Sequence, residues 1–315
     1  MIEVKELTKR YGAGAAVDRL SFTAGPGTVT ALLGPAGAGK TSALRLILGL
    51  ESPTAGTAAV GGVPLRGRPR SPHQVGSLPA PTALRGRRTA GALLSALARD
   101  QGAGPGRVAE VLAQTGLARE PRRRVRTYSP AMLQRLRIAA ALLGDPPVLL
   151  FDEPLRGLDP EGVRWARRLL RALAAEGRTV VVTGERAGEV AGTADRLVVL
   201  GRGRLVAALS ADEFAARRAA ARVVVGTPRG ADLAAVLRGG GATVVRTGAA
   251  GRERLAVTGM TAERVGALAT EHRIVILELD TRTPSPEEAL RELTAPVPDF
   301  PGFRGFPGAE GQPIA

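Results

Sequence analysis

Three features of the 315-residue sequence predict an α/β fold. An apolar, β-branched stretch at 28–33 runs into the glycine-rich turn Gly34-Pro-Ala-Gly-Ala-Gly-Lys-Thr41, and leucines and an isoleucine then recur at helical spacing over 41–50. A second short apolar strand, 148–151, ends in the two acids Asp152 and Glu153. Strand-like and helix-like segments alternate through the remainder of the first two thirds of the chain.

In order, strand-like segments at 2–7 and 20–23 precede the strand at 28–33. Residues 61–71 are rich in Gly, Pro and Arg and read as loops, followed by a short strand at 75–78. The pattern over 89–143 is mostly helical with Pro and Gly breaks; 161–175 is helical and 179–183 is a β-branched strand. Segments 197–200 and 204–207 flank Gly201-Arg202-Gly203, a hairpin signal. Ser210-Ala-Asp-Glu213 is a capping box opening a linking helix to about 221. The pattern then restarts as strand 222–226, helix 231–237, strands 242–247 and 254–257, helix 261–270 and strand 274–279. This β-α-β-β-α-β order predicts a small ferredoxin-like α+β unit. A last helix covers 286–293. The Pro/Gly-rich tail from 294 reads as an unstructured end. It holds Phe300, Phe303 and Phe306, half of the six phenylalanines, with a docking motif as the alternative reading.

The formal net charge is +15, and the only lysines are Lys5, Lys9 and Lys40. Arginine is spread along the chain and aromatics are only 3%. Compositional drift therefore explains the charge better than a nucleic-acid surface, with attraction to an anionic membrane as the weaker option. Without cysteine there is no disulfide framework and no thiolate chemistry. No apolar run approaches the roughly 20 residues of a membrane span. The N-terminus alternates like a strand and lacks the apolar core of a signal peptide. These features predict a cytoplasmic chain.

Chemistry concentrates at the glycine-rich turn. Glycines let backbone N–H groups point inward at phosphate oxygens, and the following helix adds the positive end of its dipole. The predicted phosphate-binding set is Gly34, Pro35, Ala36, Gly37, Ala38, Gly39, Lys40, Thr41 and Ser42. Lys40 would reach the β- and γ-phosphates and Thr41 would hold Mg²⁺. Asp152, at the end of a buried strand, would share that ion, and Glu153 would act as general base on the attacking water.

Tyr128-Ser-Pro-Ala-Met-Leu-Gln-Arg135 lies shortly before these acids and resembles the signature segment of ATP-binding-cassette (ABC) ATPases. Gly157-Leu-Asp159 follows Glu153 at the spacing of that family's D-loop, and Tyr11 stands where such subunits stack an aromatic on adenine. The resemblance covers about 1–207. Within the family the chain looks most like ATP-binding subunits of drug and peptide-antibiotic resistance exporters, and the segment 284–294 is similar to their closing segment. The resemblance implies a P-loop NTPase cassette, a RecA-like core with a helical subdomain at about 89–143. The domains would be an ATP-binding domain over 1–209, a linker helix over 210–221, the small α+β domain over 222–293 and the tail over 294–315. It also implies ATP and Mg²⁺ as ligands, a sandwich dimer (homodimer or heterodimer) in which Ser129 and Asp159 contribute across the interface, a separate integral-membrane permease, and a place on the inner face of the membrane.

Three positions depart from the family pattern. After Ser129, Pro130 and Ala131 replace small glycines; Pro130 has no N–H to offer phosphate, although Ser129-Pro130 suits a helix start. Ala80 takes the Q-loop position and offers neither amide nor acid. Glu185 takes the place of the H-loop histidine, the chain's two histidines being His73 and His272. Two like unit charges ~4 Å apart repel by about 4 kcal/mol at an effective dielectric of about 20, so Glu185 must turn away or be neutralised near a terminal phosphate. The expectation is an ATPase of slow turnover. A regulatory ATP-binding module with vestigial hydrolysis is the alternative.

Overall fold

The computed structural model describes residues 1–12, 14–64, 73–78, 87–190, 192–219, 222–247, 254–283 and 285–294. Ala80, Pro284 and the three tail phenylalanines Phe300, Phe303 and Phe306 lie outside the described residues.

A six-stranded sheet forms the centre. Strands β3 (Val29–Leu33), β5 (Val75–Ser77), β6 (Val148–Phe151), β7 (Thr179–Gly184), β8 (Arg196–Gly201) and β9 (Arg204–Ser210) lie in the order β5-β6-β7-β3-β8-β9. All but β9 run parallel. Every residue of β3, β6 and β7 is buried, as continuous apolar runs covered on both faces should be. The hairpin predicted around residues 201–203 forms, with positive φ at Arg202 and Gly203.

A second, antiparallel sheet joins β1 (Ile2–Tyr11), β2 (Gly14–Ala24) and β4 (Ala55–Val60) in the order β2-β1-β4. Both of its first two strands run further than the apolar segments predict, and β4 has no counterpart in the sequence reading. Its run Ala-Gly-Thr-Ala-Ala-Val is bland by composition, and pairing with β1 organises it. Ile2, Val4, Leu20 and Phe22 of this sheet close a core with Leu32, Leu44 and Ile47 of the central sheet and of helix α1 (Lys40–Ile47).

Helices α2 (Ala90–Asp100), α3 (Pro105–Gln114) and α4 (Pro130–Leu142) occupy the predicted helical stretch. They share a core with α5 (Pro160–Ala175) and one face of the central sheet, through Leu94, Val111, Leu136, Phe151 and Leu170. The short helix α6 (Ala187–Val190) follows β7.

The capping box predicted at Ser210 forms. Its N–H donates to Glu213 Oε2 at 2.6 Å, and Glu213 N–H donates to Ser210 Oγ at 3.0 Å, opening α7 (Ala211–Ala219). Beyond it, β10 (Arg222–Gly226), α8 (Gly230–Gly239), β11 (Thr243–Thr247), β12 (Arg254–Thr258), α9 (Ala262–Glu271) and β13 (Glu278–Arg282) follow in the predicted β-α-β-β-α-β order. The sheet order is β11-β12-β10-β13, with its own core of Val223, Val225, Leu233, Leu255, Val257 and Val265. The last strand sits later than the apolar run 274–279 predicts. Leu277 N–H donates to the Gly226 carbonyl at 2.7 Å, which starts the ladder at Glu278, and Ile274 is buried in the approach.

Helix α10 (Pro286–Thr294) returns to the first core, burying Ala289 and Leu290 beside Phe214. Its Glu287 Oε1 accepts from the Gly188 N–H at 3.0 Å, and Arg167 donates to the Gly188 carbonyl at 2.8 Å. The chain three residues after Glu185 is thereby held on both its backbone groups.

Candidate active site

The loop after β3 wraps the start of α1. Gly34 and Gly39 have no room for a side chain: a Cβ on Gly34 would overlap the Leu200 carbonyl, and one on Gly39 the Ala16 carbonyl. Gly39 also takes φ 95 at the helix N-cap, a conformation glycine adopts without strain. The loop is braced from behind by the β8–β9 turn, where Gly203 N–H donates to the Ala38 carbonyl at 3.2 Å. Ala38 is buried, whereas Pro35, Ala36 and Gly37 form an exposed rim and Ser42 is half-buried beside Thr41. Lys40 is buried, and its Nζ donates to the carbonyls of Gly34 at 2.8 Å and Pro35 at 2.9 Å. Burial pulls its pKa below the usual lysine value; the carboxylates of Glu185, Glu153 and Asp152 act in the opposite direction.

Strand order brings the acids to this loop. The carboxyl ends of β6, β7 and β3 lie side by side, the place where open α/β sheets bind ligands. Thr41 Oγ1 donates to Asp152 Oδ2 at 2.9 Å. Thr183, at the end of the intervening β7, donates to Asp152 Oδ1 at 2.6 Å and accepts from the Glu153 N–H at 2.8 Å. Glu153 adopts φ 46, uncommon for a residue with a side chain. Both of its backbone groups are pinned: the N–H by Thr183 and the carbonyl by Gln134 Nε2 at 3.1 Å. Buried Gln134 also donates to the Pro154 carbonyl at 3.0 Å and accepts from Arg137 at 2.6 Å, so α4 is tied to the acidic turn. The Glu153 carboxylate pairs with Arg156 Nη1 at 2.7 Å. Glu185 is exposed and lines a cleft of about 350 Å³ with Glu153, Arg156, Thr183 and Arg186.

Ser129 and Asp159 do not join this cluster; each begins a helix. Ser129 Oγ accepts from Met132 N–H at 3.2 Å at the start of α4, with Pro130 in the first helical position, and Asp159 Oδ1 accepts from Gly162 N–H at 2.7 Å at the start of α5. Tyr11 stands exposed at the end of β1, where its hydroxyl donates to the Glu51 carboxylate and Lys9 Nζ lies 5.1 Å from its ring centre. The sequence reading did not single out Thr183, Arg137 or Arg156, nor the Gln134 bridge. For Thr183 the available signal is a hydroxyl ending an otherwise apolar β-branched strand.

Replacing Thr183 with Val is expected to leave the Glu153 N–H without its acceptor and Asp152 Oδ1 without its donor, while Thr41 still donates to Asp152 Oδ2. A loss of about 1–3 kcal/mol, the cost of an orphaned buried group, should appear as a lowered denaturation midpoint of the full chain.

A glycine-rich phosphate cradle facing an acid-ended strand on a parallel sheet defines a P-loop nucleotide-binding protein. Comparisons narrow the class. The ABC transporter family model matches residues 17–156, and a model for a domain of unknown function matches 221–287. The Nod factor export ATP-binding protein I of Burkholderia orbicola (strain AU 1054) is 38% identical over 213 residues, which is 65% of this chain and 69% of that protein. The protein of the same name in Rhizobium etli is 36% identical over 211 residues, 65% of this chain and 67% of its own. Among solved structures, an ATP-binding subunit of an ABC transporter superposes with a TM-score of 0.61 at 25% identity, covering 69% of this chain and 92% of that one. A bacterial Atm1-family ABC exporter with ATP bound gives 0.60 at 25% identity, over 69% of this chain and 40% of its own. The chain belongs to the ABC transporter ATP-binding family, whose members bind and hydrolyse ATP. No helix among the described residues is long and apolar enough to cross a membrane.

Proposed function

We propose that the chain is the ATP-hydrolysing subunit of an exporter, acting as one half of a two-cassette sandwich on a separate integral-membrane permease. The observation that carries this reading is the meeting of Lys40, Thr41, Asp152 and Glu153 across three adjacent strand ends. The Nod factor export relatives support the direction of transport. In this reading 1–209 bind nucleotide, 210–221 link and 222–282 form the small appended domain; helix α10, which the sequence reading includes in that domain by running it to 293, packs on the first core instead, through Ala289 and Leu290.

Tyr11 stacks on adenine, the N–H groups of Gly34 and of 36–39 with Lys40 and Ser42 take the phosphates while Pro35 shapes the loop without an N–H, and Ser129 and Asp159 face the nucleotide held by the opposing cassette. Thr41 and Asp152 fit Mg²⁺: both offer hard oxygens, and their oxygens already lie 2.9 Å apart. Phosphate oxygens and water would complete the shell of the ion. The ion, when bound, neutralises phosphate charge. Glu153 is set to accept a proton from water, because its backbone is fixed on both sides.

Slow turnover follows from Pro130, Ala131 and above all Glu185, which lines the cleft and acts on Lys40. Purified full-length protein is expected to bind MgATP in calorimetry and release phosphate slowly. Glu185→His should speed release about tenfold or more by removing a like charge from the phosphate's side. Brisk hydrolysis by the unpartnered wild type would overturn slow turnover, and absence of any heat with magnesium nucleotide would overturn the whole reading.

The regulatory alternative, in which binding gates a partner and hydrolysis is vestigial, is favoured by the Arg156 pairing of Glu153. Single-turnover rates equal to those of Glu153→Gln would select it.

A further inference from the structure

The turn that leaves Glu153 brings a second cation to the site. Gly157 takes φ 76, and the Arg156 N–H donates to the Glu153 carbonyl at 3.2 Å, folding residue 156 back over residue 153. The guanidinium then lies 2.7 Å from Glu153 Oε2, with 80% of its side chain exposed against 22% for the glutamate. Arg156 and Glu185 line the same cleft as Glu153 and Thr183. Glu153, Glu185 and Asp152 all act on the Arg156 charge, and the same three carboxylates act on Lys40. Arg156 and Lys40 therefore share one group of acids.

An exposed ion pair holds weakly, because water competes for both partners. A guanidinium meets phosphate through paired, charge-assisted hydrogen bonds, which are stronger and directional. A terminal phosphate entering beside Glu153 and Glu185 needs a counter-charge on that side, and Arg156 is placed to provide it by exchanging partners.

We propose that Arg156 is a positioning residue that reads the terminal phosphate: it leaves the Glu153 carboxylate for a γ-phosphate oxygen of the triphosphate, offsetting Glu185 and freeing Glu153. The proposal rests on the nucleotide reading of the site. It makes the pairing with Glu153 the resting arrangement and predicts a discrimination between triphosphate and diphosphate that resides in one side chain. Lys40, which touches the β-phosphate as well, would serve both nucleotides.

The test is calorimetric binding of two magnesium nucleotides to the full chain: ADP, and an ATP analogue with a non-hydrolysable β–γ link. Arg156→Ala is expected to weaken the analogue about ten- to a hundredfold, the loss of a hydrogen bond to a charged group, while ADP affinity stays within about twofold. Arg156→Lys should regain part of the loss as a point charge without the paired geometry. Equal weakening of both nucleotides, or an unchanged affinity for the analogue, would overturn the proposal. Wild-type protein that binds ADP and the analogue alike would also overturn it while leaving the nucleotide reading intact. Wild-type protein that binds neither would remove that reading and this proposal together.

Discussion

Replacing Glu153 with Gln is expected to lower ATP turnover by about 10²–10⁴-fold, the usual worth of a positioned general base. The substitution keeps the shape and the backbone of the residue. Its N–H still reaches Thr183 at 2.8 Å and its carbonyl still receives Gln134 at 3.1 Å, so the unusual φ of 46 has the same supports. What changes is the ability to take a proton and the charge facing Arg156. Nucleotide affinity should hold or rise, since one of the carboxylates near the phosphate site is gone. Single-turnover phosphate release, read beside calorimetric affinity, separates these effects. A fall in affinity equal to the fall in rate would mean that Glu153 serves the architecture of the turn, and its role as base would have to be given up.

The parts of this site that were legible in the sequence are those encoded within a few consecutive residues. Glycines at 34, 37 and 39 followed by Lys40 and Thr41 specify a phosphate cradle locally, and an apolar strand ending in Asp152 and Glu153 specifies an acidic strand end. Their meeting depends on strand order, which no local pattern carries. Thr183 shows the difference. It is one threonine among several until β7 inserts between β6 and β3, and then its hydroxyl serves two neighbours at once. The role of Arg156 is not encoded locally either, because the turn around Gly157 decides that it faces Glu153.

Strands follow the same division. The central strands, buried on both faces, announce themselves as unbroken apolar runs. The Ala- and Gly-containing β4 does not, since its partner β1 imposes its conformation. In the small sheet the apolar run predicts a strand over 274–279, whereas pairing with β10 sets it at Glu278–Arg282, where Glu278 and Arg282 lie on one face and pair at 3.1 Å. Helix caps are more legible than strands because a cap is a local hydrogen bond between a hydroxyl and an N–H three residues on, as at Ser129 and Ser210.

Lys40→Ala is expected to reduce triphosphate affinity at least about a hundredfold, more than the replacement of any other residue of the cradle. Two losses combine. The ammonium is the one cation inside the loop, and charge-assisted contacts to phosphate are each worth about 1.5–3 kcal/mol. It also holds the loop itself, through the carbonyls of Gly34 and Pro35 at 2.8 and 2.9 Å, so the amides that should face phosphate lose their internal brace. Removing it leaves Asp152, Glu153 and Glu185 facing the phosphate position with no ammonium among them. Lys40→Arg separates the two losses. It restores charge, but its bulk must enter a pocket where the lysine is only 5% exposed and where glycines already lack room for a methyl group. Arginine should therefore bind nucleotide little better than alanine, whereas raising Mg²⁺ should recover part of the alanine variant's loss by neutralising the same acids. Equal affinities for wild type and Lys40→Ala, measured by calorimetry with MgATP, would mean that the loop does not hold phosphate in this chain.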